Sequence, residues 1–214
     1  MSDASGYYAH PTAVLDEGCR VGAGCRIWHF SHVSSHAVLG EGCNLGQNVF
    51  VADGVMLGRN VKVQNNVSLY AGVECADDVF LGPSVVFTNV RNPRAAVPRR
   101  GDAHYLPTRL GRGVSIGANS TIVCGVTLGE FAFVGAGSVV TRDVLAYSLV
   151  YGNPARPQGW MSAHGHQLAF DAAGHATCPE SRDQYQLTDG CVSRISPEAS
   201  GSSSQPVSKS NTCL

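Results

Sequence analysis

The stretch VFVADGVMLGRNVKVQNNVSLYAG, residues 49–72, repeats itself every six residues as VFVADG, VMLGRN, VKVQNN and VSLYAG. The third place of each hexad is aliphatic, and the first place is Val. The third-place pattern continues through thirteen hexads from Leu15 to Phe87 and resumes for six more from Leu110 to Val140. A six-residue period does not keep one face of a helix with 3.6 residues per turn, so an amphipathic helix is excluded.

Each hexad predicts a short strand followed by a turn. The first and third places lie two residues apart, so they face the same side of a strand. The fourth place is often Gly, which we interpret as a corner that needs unusual backbone angles. Since a fixed six-residue period is typical of parallel β-helices, we expect an all-β parallel β-helix. Cys19, Cys25 and Cys43 occupy first places, where we expect small buried free thiols.

Composition and charge narrow the function classes. The chain is 43% hydrophobic but only 14% charged, and its formal net charge of −1 argues against a nucleic-acid partner. No apolar run approaches the roughly 20 residues that cross a bilayer, so no membrane association is expected. The first residues lack the basic and then apolar pattern of a signal sequence. We therefore expect a cytoplasmic protein.

One long insertion interrupts the repeat. TNVRNPRAAVPRRGDAHYLPTR, residues 88–109, contains five Arg and three Pro and fits no hexad. It predicts a loop extruded from one corner, at about residues 89–109. Concentrated cations beside a rigid scaffold favour an anionic ligand, although a solvated loop is the plain alternative.

The hexad resembles that of the hexapeptide-repeat acyltransferases, whose fold is a left-handed parallel β-helix with three hexads per coil. The handedness comes from this resemblance, because the general crossover rule favours right-handed connections. The segment GNPAR, residues 152–156, is similar to the exit sequence of that family. We therefore expect a β-helix domain over 10–157, a small appendage over 158–195 and a disordered Ser-rich tail over 196–214.

A closer resemblance is to bacterial sugar-nucleotide N-acetyltransferases. It rests on IWHFSHV (27–33), LGQNVFV (45–51), VQNNVSLY (63–70), GPSVVFTNVRNPR (82–94), GANSTIVCGVTLGEFAFVGAGSVVT (117–141) and GNPARPQGWM (152–161). These segments resemble enzymes that acetylate the 3-amino group of UDP-2-acetamido-3-amino-2,3-dideoxyglucuronate in O-antigen biosynthesis. The resemblance implies acetyl-CoA as co-substrate, a UDP-amino sugar acceptor, and a homotrimer with active sites between subunits.

Asn89 is the leading catalytic candidate. An 18-residue coil stacks it on one corner with Asp53, Ala71, Cys124 and Arg142, at the point where the loop departs. Its amide offers donors and an acceptor that can orient a sugar amine or a thioester carbonyl. The alternative is a turn Asn that tolerates positive φ.

Arg94 and Arg99 are the candidates for the uronate carboxylate and the diphosphate, since Arg binds either group through two hydrogen bonds. We assign the carboxylate to Arg99, which lies mid-loop.

Other polar residues are candidates for binding the sugar nucleotide. His29 is a candidate donor to a phosphate, with packing of a subunit interface as the alternative. Gln64, Asn65 and Asn66 place three amides at one corner. They either contact the nucleotide or sugar, or form an internal amide ladder between coils.

Acetyl-CoA is expected along the upper coils. Gly117 and Gly135 stack on a second corner together with Asn153, and glycines there suit close approach by a ligand. The anionic nucleotide is expected near Arg142 or Arg156.

Three alternatives stay open from the sequence. The first is acetylation of another nucleotide-linked amino sugar, such as a 4-amino sugar. The second is a non-catalytic β-helical scaffold, and the third is a γ-type carbonic anhydrase with zinc held by His29, His32 and His36. The zinc histidines of that fold stand near 18-residue spacing, which these do not, so no metal is expected.

Overall fold

The computed structural model describes residues 6–99, 101 and 103–195. This part of the chain contains twenty-six β-strands and no α-helix, and so no helix long and apolar enough to cross a membrane. The disordered tail predicted over 196–214 lies outside the described residues.

Short parallel strands stack into three sheets, which form the three faces of a prism. The strands are β1 Tyr8–Ala9, β2 Val14–Leu15, β3 Arg20–Val21, β4 Arg26–Ile27, β5 His32–Val33, β6 Val38–Leu39, β7 Asn44–Leu45, β8 Phe50–Val51, β9 Met56–Leu57, β10 Lys62–Val63, β11 Ser68–Leu69, β12 Val73–Cys75, β13 Phe80–Leu81, β14 Val86–Phe87, β15 Thr108–Leu110, β16 Ser115–Ile116, β17 Thr121–Ile122, β18 Thr127–Leu128, β19 Phe133–Val134, β20 Val139–Val140, β21 Ser148–Gly152, β22 Ala155–Met161, β23 Gln167–Leu168, β24 His175–Thr177, β25 Gln184–Thr188 and β26 Cys191–Ile195. Sheet A contains β1-β4-β7-β10-β13-β16-β19-β21-β22-β23, sheet B contains β2-β5-β8-β11-β14-β17-β20, and sheet C contains β18-β15-β12-β9-β6-β3. Successive strands of the prism belong to successive sheets, so every three hexads complete one coil.

The register between coils follows the hexad repeat. Lys62 pairs with Asn44 below it and with Phe80 above it, eighteen residues away in each direction. The predicted all-β parallel β-helix is therefore confirmed. We name the corners by the sheets that they join: A–B (for example 64–66), B–C (70–72) and C–A (76–78).

First-place and third-place side chains fill the interior of the prism, as the sequence predicts. Val49, Val51, Val61 and Val63 are at most 1% exposed. Each hexad therefore buries its first-place and third-place side chains against the equivalent residues of the coils above and below. The three first-place cysteines are free thiols: Cys25 and Cys43 are buried, and Cys19 is half-buried.

The role predicted for the fourth-place glycines is wrong. The corner residue with positive φ is the sixth of the hexad, for example Gly42 at 69° and Asn60 at 58°. Gly40, in the fourth place, does not have positive φ. A Cβ on Gly40 would instead lie 2.5 Å from the carbonyl oxygen of Gly58 in the next coil. Glycine is needed in the fourth place because coil backbones approach each other closely there.

The last coil is two residues shorter than the others. Val134 pairs with Val150, sixteen residues later, and Leu128 bridges to Val144 at the same spacing. Tyr151 therefore stacks on Gly135, where the sequence predicted Asn153. The missing residues belong to the last B–C corner, between β20 and Val144.

The chain after the prism forms an antiparallel extension. β22 pairs with β21 and β23 at the end of sheet A, and β24, β25 and β26 form a separate three-stranded sheet. Asp189 and Gly190, both with positive φ, make the two-residue turn between β25 and β26. Tyr185 of this sheet is fully buried and packs edge-on against Tyr147 with ring centroids 5.6 Å apart, which docks the extension on the last coil.

Candidate active site

The inserted loop leaves and rejoins the prism at one point of the B–C corner. The backbone amide of Leu106 donates to the carbonyl oxygen of Asn89 at 2.9 Å, and the amide of Thr108 donates to Gly72 at 2.8 Å. The hydroxyl of Thr88 accepts from the amide of Cys124 in the next coil, also at 2.9 Å. These three bonds fix the base of the loop to the coils below and above it.

The side chain of Asn89 is half-buried at this base. Its amide forms no hydrogen bond with any described residue, so its donors and its acceptor are available to a ligand. Asn89 does not have positive φ. The alternative interpretation, a turn Asn kept for its backbone conformation, is therefore wrong.

Arg94 and Arg99 come together in the loop. With Val90, Pro93, Ala95 and Pro98 they line a cavity of about 390 Å³. Arg99 donates to the carbonyl oxygen of Asn92 at 2.8 Å, and Arg94 makes a long bond of 3.4 Å to the carbonyl of Pro93. Neither guanidinium pairs with a carboxylate of the described residues, so both charges can serve an anion.

A different corner, A–B, carries His29 and the three amides. Asn65 accepts from the backbone amide of Gln47 at 2.8 Å, and Asn66 accepts from the side chain of Asn48 at 3.1 Å. These bonds join neighbouring coils and match the amide-ladder interpretation for Asn65 and Asn66. The side chain of Gln64 makes no hydrogen bond with the described residues.

Gly117 and Gly135 also lie on the A–B corner, but the chain itself occupies the space beside them. A Cβ on Gly117 would lie 2.5 Å from the backbone nitrogen of Ala136, and one on Gly135 would lie 2.8 Å from Cβ of Tyr151. Packing between coils is thus sufficient to explain both glycines. Their contact with acetyl-CoA stays a prediction.

A second cavity, of about 300 Å³, which we call the upper cavity, brings Arg142 and Arg156 together at the end of the prism. Val140, Val144 and Val150 form an apolar part of its lining, and Trp160 and Gly190 of the extension contribute to its wall. Both Arg side chains are exposed and lack a carboxylate partner within the described part of the chain. Asp143 also lines the cavity and accepts from the amide of Thr127 at 2.7 Å.

Asn153 is exposed and lies in the turn between β21 and β22, where the peptide bond to Pro154 is cis. It does not line the cavity of Arg142 and Arg156, although the first two residues of β22, Ala155 and Arg156, do.

The three histidines considered as zinc ligands lie apart from one another. His29 lies at the A–B corner, His32 on the outer face of sheet B, and His36 at the B–C corner. His32 contacts Asp16 at 3.0 Å and His36 contacts Asp53 at 2.9 Å. The described residues include no group of three or more potential metal ligands.

Sequence reasoning missed two residues. Trp160 lines the upper cavity, and His10 stacks on His29 with ring centroids 3.5 Å apart. A signal for His10 was present, because His10 and Trp28 occupy fourth places of the A–B corner, where most other coils have Gly. Bulky residues there mark coils whose corner differs from the rest.

Residues 18–53 and 107–142 match the family of bacterial transferases with hexapeptide repeats, and residues 37–71 match the hexapeptide repeat of succinyl-transferases. The stacked parallel coils are consistent with the left-handed β-helix of these proteins. The chain belongs to the hexapeptide-repeat acyltransferases.

Among curated relatives, the chain is 41% identical over 188 residues to dTDP-3-amino-3,6-dideoxy-alpha-D-galactopyranose 3-N-acetyltransferase of Aneurinibacillus thermoaerophilus, covering 88% of this chain and 95% of the relative. It is 32% identical over 85 residues to galactoside O-acetyltransferase of Escherichia coli, covering 39% of this chain and 42% of that protein. A solved galactoside acetyltransferase in complex with coenzyme A superimposes with a TM-score of 0.53 at 24% identity, over 63% of this chain and 68% of that chain. This last likeness shows the fold.

Proposed function

We propose that the protein is an acetyl-CoA-dependent sugar-nucleotide N-acetyltransferase. Its acceptor is the 3-amino group of a UDP-linked 2-acetamido-3-amino-2,3-dideoxy uronic acid. The reaction serves O-antigen sugar biosynthesis in the cytoplasm. The observation that carries the proposal is the side-chain amide of Asn89, which has no partner among the described residues, beside a cavity lined by Arg94 and Arg99, which pair with no described carboxylate. The 41% identical relative, whose name places its own acetyl transfer on a 3-amino sugar, supports the reaction type.

Acetyl transfer to an amine requires little more from the protein than orientation of the reactants. If the sugar amine titrates like an α-amino group, near pH 8, a useful fraction is neutral at about pH 7. The neutral amine attacks the thioester carbonyl, and the tetrahedral adduct then expels the thiolate of coenzyme A. The amide of Asn89 orients the amine or donates to the developing oxyanion. The proton released from the amine goes to water or to the departing thiolate.

The acceptor's anionic groups lie toward the loop in this proposal. Arg99 binds the uronate carboxylate and Arg94 binds the diphosphate. Each guanidinium keeps N–H donors that bond to no described residue, and neither has a carboxylate partner among the described residues. A neutral sugar would leave the charge of Arg99 without this partner. The proposed acceptor is therefore a uronate, and not an uncharged hexose.

We assign the nucleotide part of acetyl-CoA to the upper cavity. Arg142 and Arg156 supply positive charge for the phosphates, and the apolar wall that includes Trp160 suits an adenine ring. The volume of about 300 Å³ is at the lower end of the range for ligand pockets.

We propose a homotrimer as the working form. The outward residues of sheet B include no Lys, Arg, Asp or Glu, whereas sheet A presents Arg26 and Lys62. On sheet B, Val14 is 54% exposed and Val86 49% exposed. An apolar face beside Asn89 fits a second copy of this chain, which would then close the site at the loop.

A dTDP-linked 3-amino sugar is the second candidate acceptor. The relative at 41% identity acts, by its name, on a dTDP-linked neutral 3-amino sugar. An assay of thiol release from acetyl-CoA distinguishes the two, with the UDP-3-amino uronate, its uncharged C6 counterpart, the dTDP-linked 3-amino sugar and a UDP-4-amino sugar as acceptors. The proposal expects the highest kcat/KM for the UDP-3-amino uronate. A higher value for any other acceptor contradicts it.

A further inference from the structure

The upper cavity lies where the interior of the prism ends. Val140 belongs to sheet B, Val150 belongs to sheet A, and Val144 bridges to Leu128 of sheet C. These three valines are buried residues of the last coil, all three line the cavity, and we call them its floor. In the described part of the chain sheet B ends at β20 and sheet C at β18, so no further coil covers the floor.

Ser148 brings one hydroxyl to this apolar floor. It stands two residues before Val150 on β21, so the two side chains face the same side of the strand. Both residues are 3% exposed and line the cavity, whereas Leu149 between them does not. The side chain of Ser148 therefore faces the prism axis, as that of Val150 does.

The hydroxyl of Ser148 forms no hydrogen bond with the described residues, although the backbone amide of Ser148 donates to Leu145 at 3.1 Å. Its oxygen is also not sealed in the core. The unpartnered side-chain atoms that the described residues seal from solvent are Nδ1 of His29 and Oγ1 of Thr108. A nearly buried hydroxyl that lacks a partner is costly unless something binds it, so this one points to a ligand in the cavity.

The hydroxyl is confined to the last coil. Strand pairing aligns Ser148 with first-place residues of sheet A that are all apolar and fully buried: Val61, Val79, Val114 and Ala132. An apolar residue therefore satisfies core packing at this place of the prism. The polar group at Ser148 requires another reason, and the cavity above it supplies one.

We propose that Ser148 is a specificity residue for the adenine ring of acetyl-CoA, which packs on the floor of the upper cavity with a polar edge at the Ser148 hydroxyl. This inference rests on the proposed function, which assigns the nucleotide to this cavity. Because a hydroxyl both donates and accepts, it can pair with a ring nitrogen or with the exocyclic amine.

Adenine is the part of acetyl-CoA that matches this lining. A flat ring with polar groups on its edge suits an apolar surface that offers one hydroxyl. The ribose and the pantetheine arm carry more polar groups than the floor can pair. The phosphates belong with Arg142 and Arg156, which are exposed residues of the same lining. Thr141 and Asp143 also line the cavity, but both are exposed, so Ser148 is the buried polar residue among the described ones there.

Calorimetric titration of the whole protein with adenosine 3′,5′-bisphosphate and with inorganic pyrophosphate tests the assignment. Ser148→Ala should weaken adenosine 3′,5′-bisphosphate about tenfold, because an edge atom of the ring loses its partner. Pyrophosphate, which has no base, should bind this variant as it binds the wild type. The variant should fold, since Ala132 holds the equivalent place in the coil below.

Ser31→Ala is the matched control. Ser31 is also a buried first-place serine, but its hydroxyl already donates to the carbonyl oxygen of Gly46 at 2.8 Å, near the opposite end of the prism. The control should change the affinity for neither ligand. Arg156→Ala should weaken both ligands, because both carry phosphates.

The outcomes separate this inference from the proposed function. A loss confined to adenosine 3′,5′-bisphosphate supports the role of Ser148 even if no acetyl transfer to the UDP-3-amino uronate is found. Unchanged affinity for adenosine 3′,5′-bisphosphate in Ser148→Ala overturns the role, and so does an equal loss for pyrophosphate or a wild type that does not bind the adenosine ligand. None of these three results contradicts acetyl transfer itself, which the thiol-release assay measures.

Discussion

The backbone amide of Leu106 donates to the carbonyl oxygen of Asn89 at 2.9 Å, so the two ends of the inserted loop meet at a residue whose side-chain amide bonds to none of the residues that the structure describes. This bond uses the backbone of Asn89 and leaves its side chain available. The loop therefore carries Arg94 and Arg99 outward from a fixed base.

Removing the amide of Asn89 tests its role in acetyl transfer. Asn89→Ala should lower kcat about a hundredfold, because the oxyanion loses an oriented donor. The variant should fold normally, since the side chain makes no hydrogen bond with the described residues. Asn92→Ala, in the same loop, is the control. A kcat within threefold of wild type, with the assembly intact, would show that Asn89 has no such role.

Arg99→Met should distinguish acceptors by their charge. We expect KM for a uronate acceptor to rise at least tenfold, while KM for the uncharged C6 counterpart changes little, because only the first loses a charge-assisted hydrogen bond. Arg91→Met, in the loop but outside the cavity lining, is the matched control. Equal increases for both acceptors would reject the carboxylate contact.

Arg156→Ala should weaken the nucleotide half of the donor. KM for acetyl-CoA should rise about tenfold, while KM for S-acetyl-pantetheine, which lacks the nucleotide, stays the same. Arg20→Ala, on a distant strand of sheet C, provides the control. If both donors respond alike, the upper cavity does not hold the nucleotide.

Gly40 and Gly42 allow a matched test of coil packing. Gly40→Ala should destabilise the protein by roughly 3 kcal/mol, because the new Cβ overlaps the backbone of the next coil. Gly42→Ala should cost only about 1 to 2 kcal/mol, since nothing lies within 4 Å and only its φ of 69° resists the change. Urea unfolding at equal protein concentration measures both. A larger loss of unfolding free energy for Gly42→Ala than for Gly40→Ala would contradict the assignment of close backbone approach to the fourth place and positive φ to the sixth.

The pair Arg59 and Asp77 predicts a pH dependence of stability. The backbone amide of Arg59 and then its guanidinium, at 2.8 Å, hold the pKa of Asp77 below its usual value. The contribution to stability is therefore complete above the pKa of the unfolded state, about 3.9, and is lost as the pH falls through the lower pKa of the folded state. Unfolding free energies from pH 6 to 2.5 should fall less steeply for Asp77→Asn than for wild type. Identical slopes would show that the pair does not couple to folding.

Much of the fold could be predicted because the hexad is a local pattern. Side chains two apart on a strand face the same way, so the buried positions from Val49 to Val63 follow from the letters alone. The exchange of roles between Gly40 and Gly42 could not be predicted, because composition does not tell a close approach from a positive φ. The shortened last coil could not be predicted either, because the hexad pattern ends at Val140 and does not give the number of residues in the coil that follows.

The candidate site could be predicted only in its parts. Loop composition identified Arg94 and Arg99, and the 18-residue coil identified the corner of Asn89. The stack of His10 on His29 depends on side-chain rotamers at a corner, which no spacing rule fixes. The separation of candidates between the A–B and B–C corners follows from the prism, whose corners do not meet within one chain.

A crystal structure with coenzyme A and the UDP-3-amino uronate tests the central claim most directly. The measured quantity is the distance from the side-chain amide of Asn89 to the acceptor's 3-amino nitrogen or to the thioester carbonyl position. We predict a hydrogen bond of about 3 Å, with the uronate carboxylate at Arg99. An acceptor amine bound away from the B–C corner, out of reach of Asn89, would contradict the account.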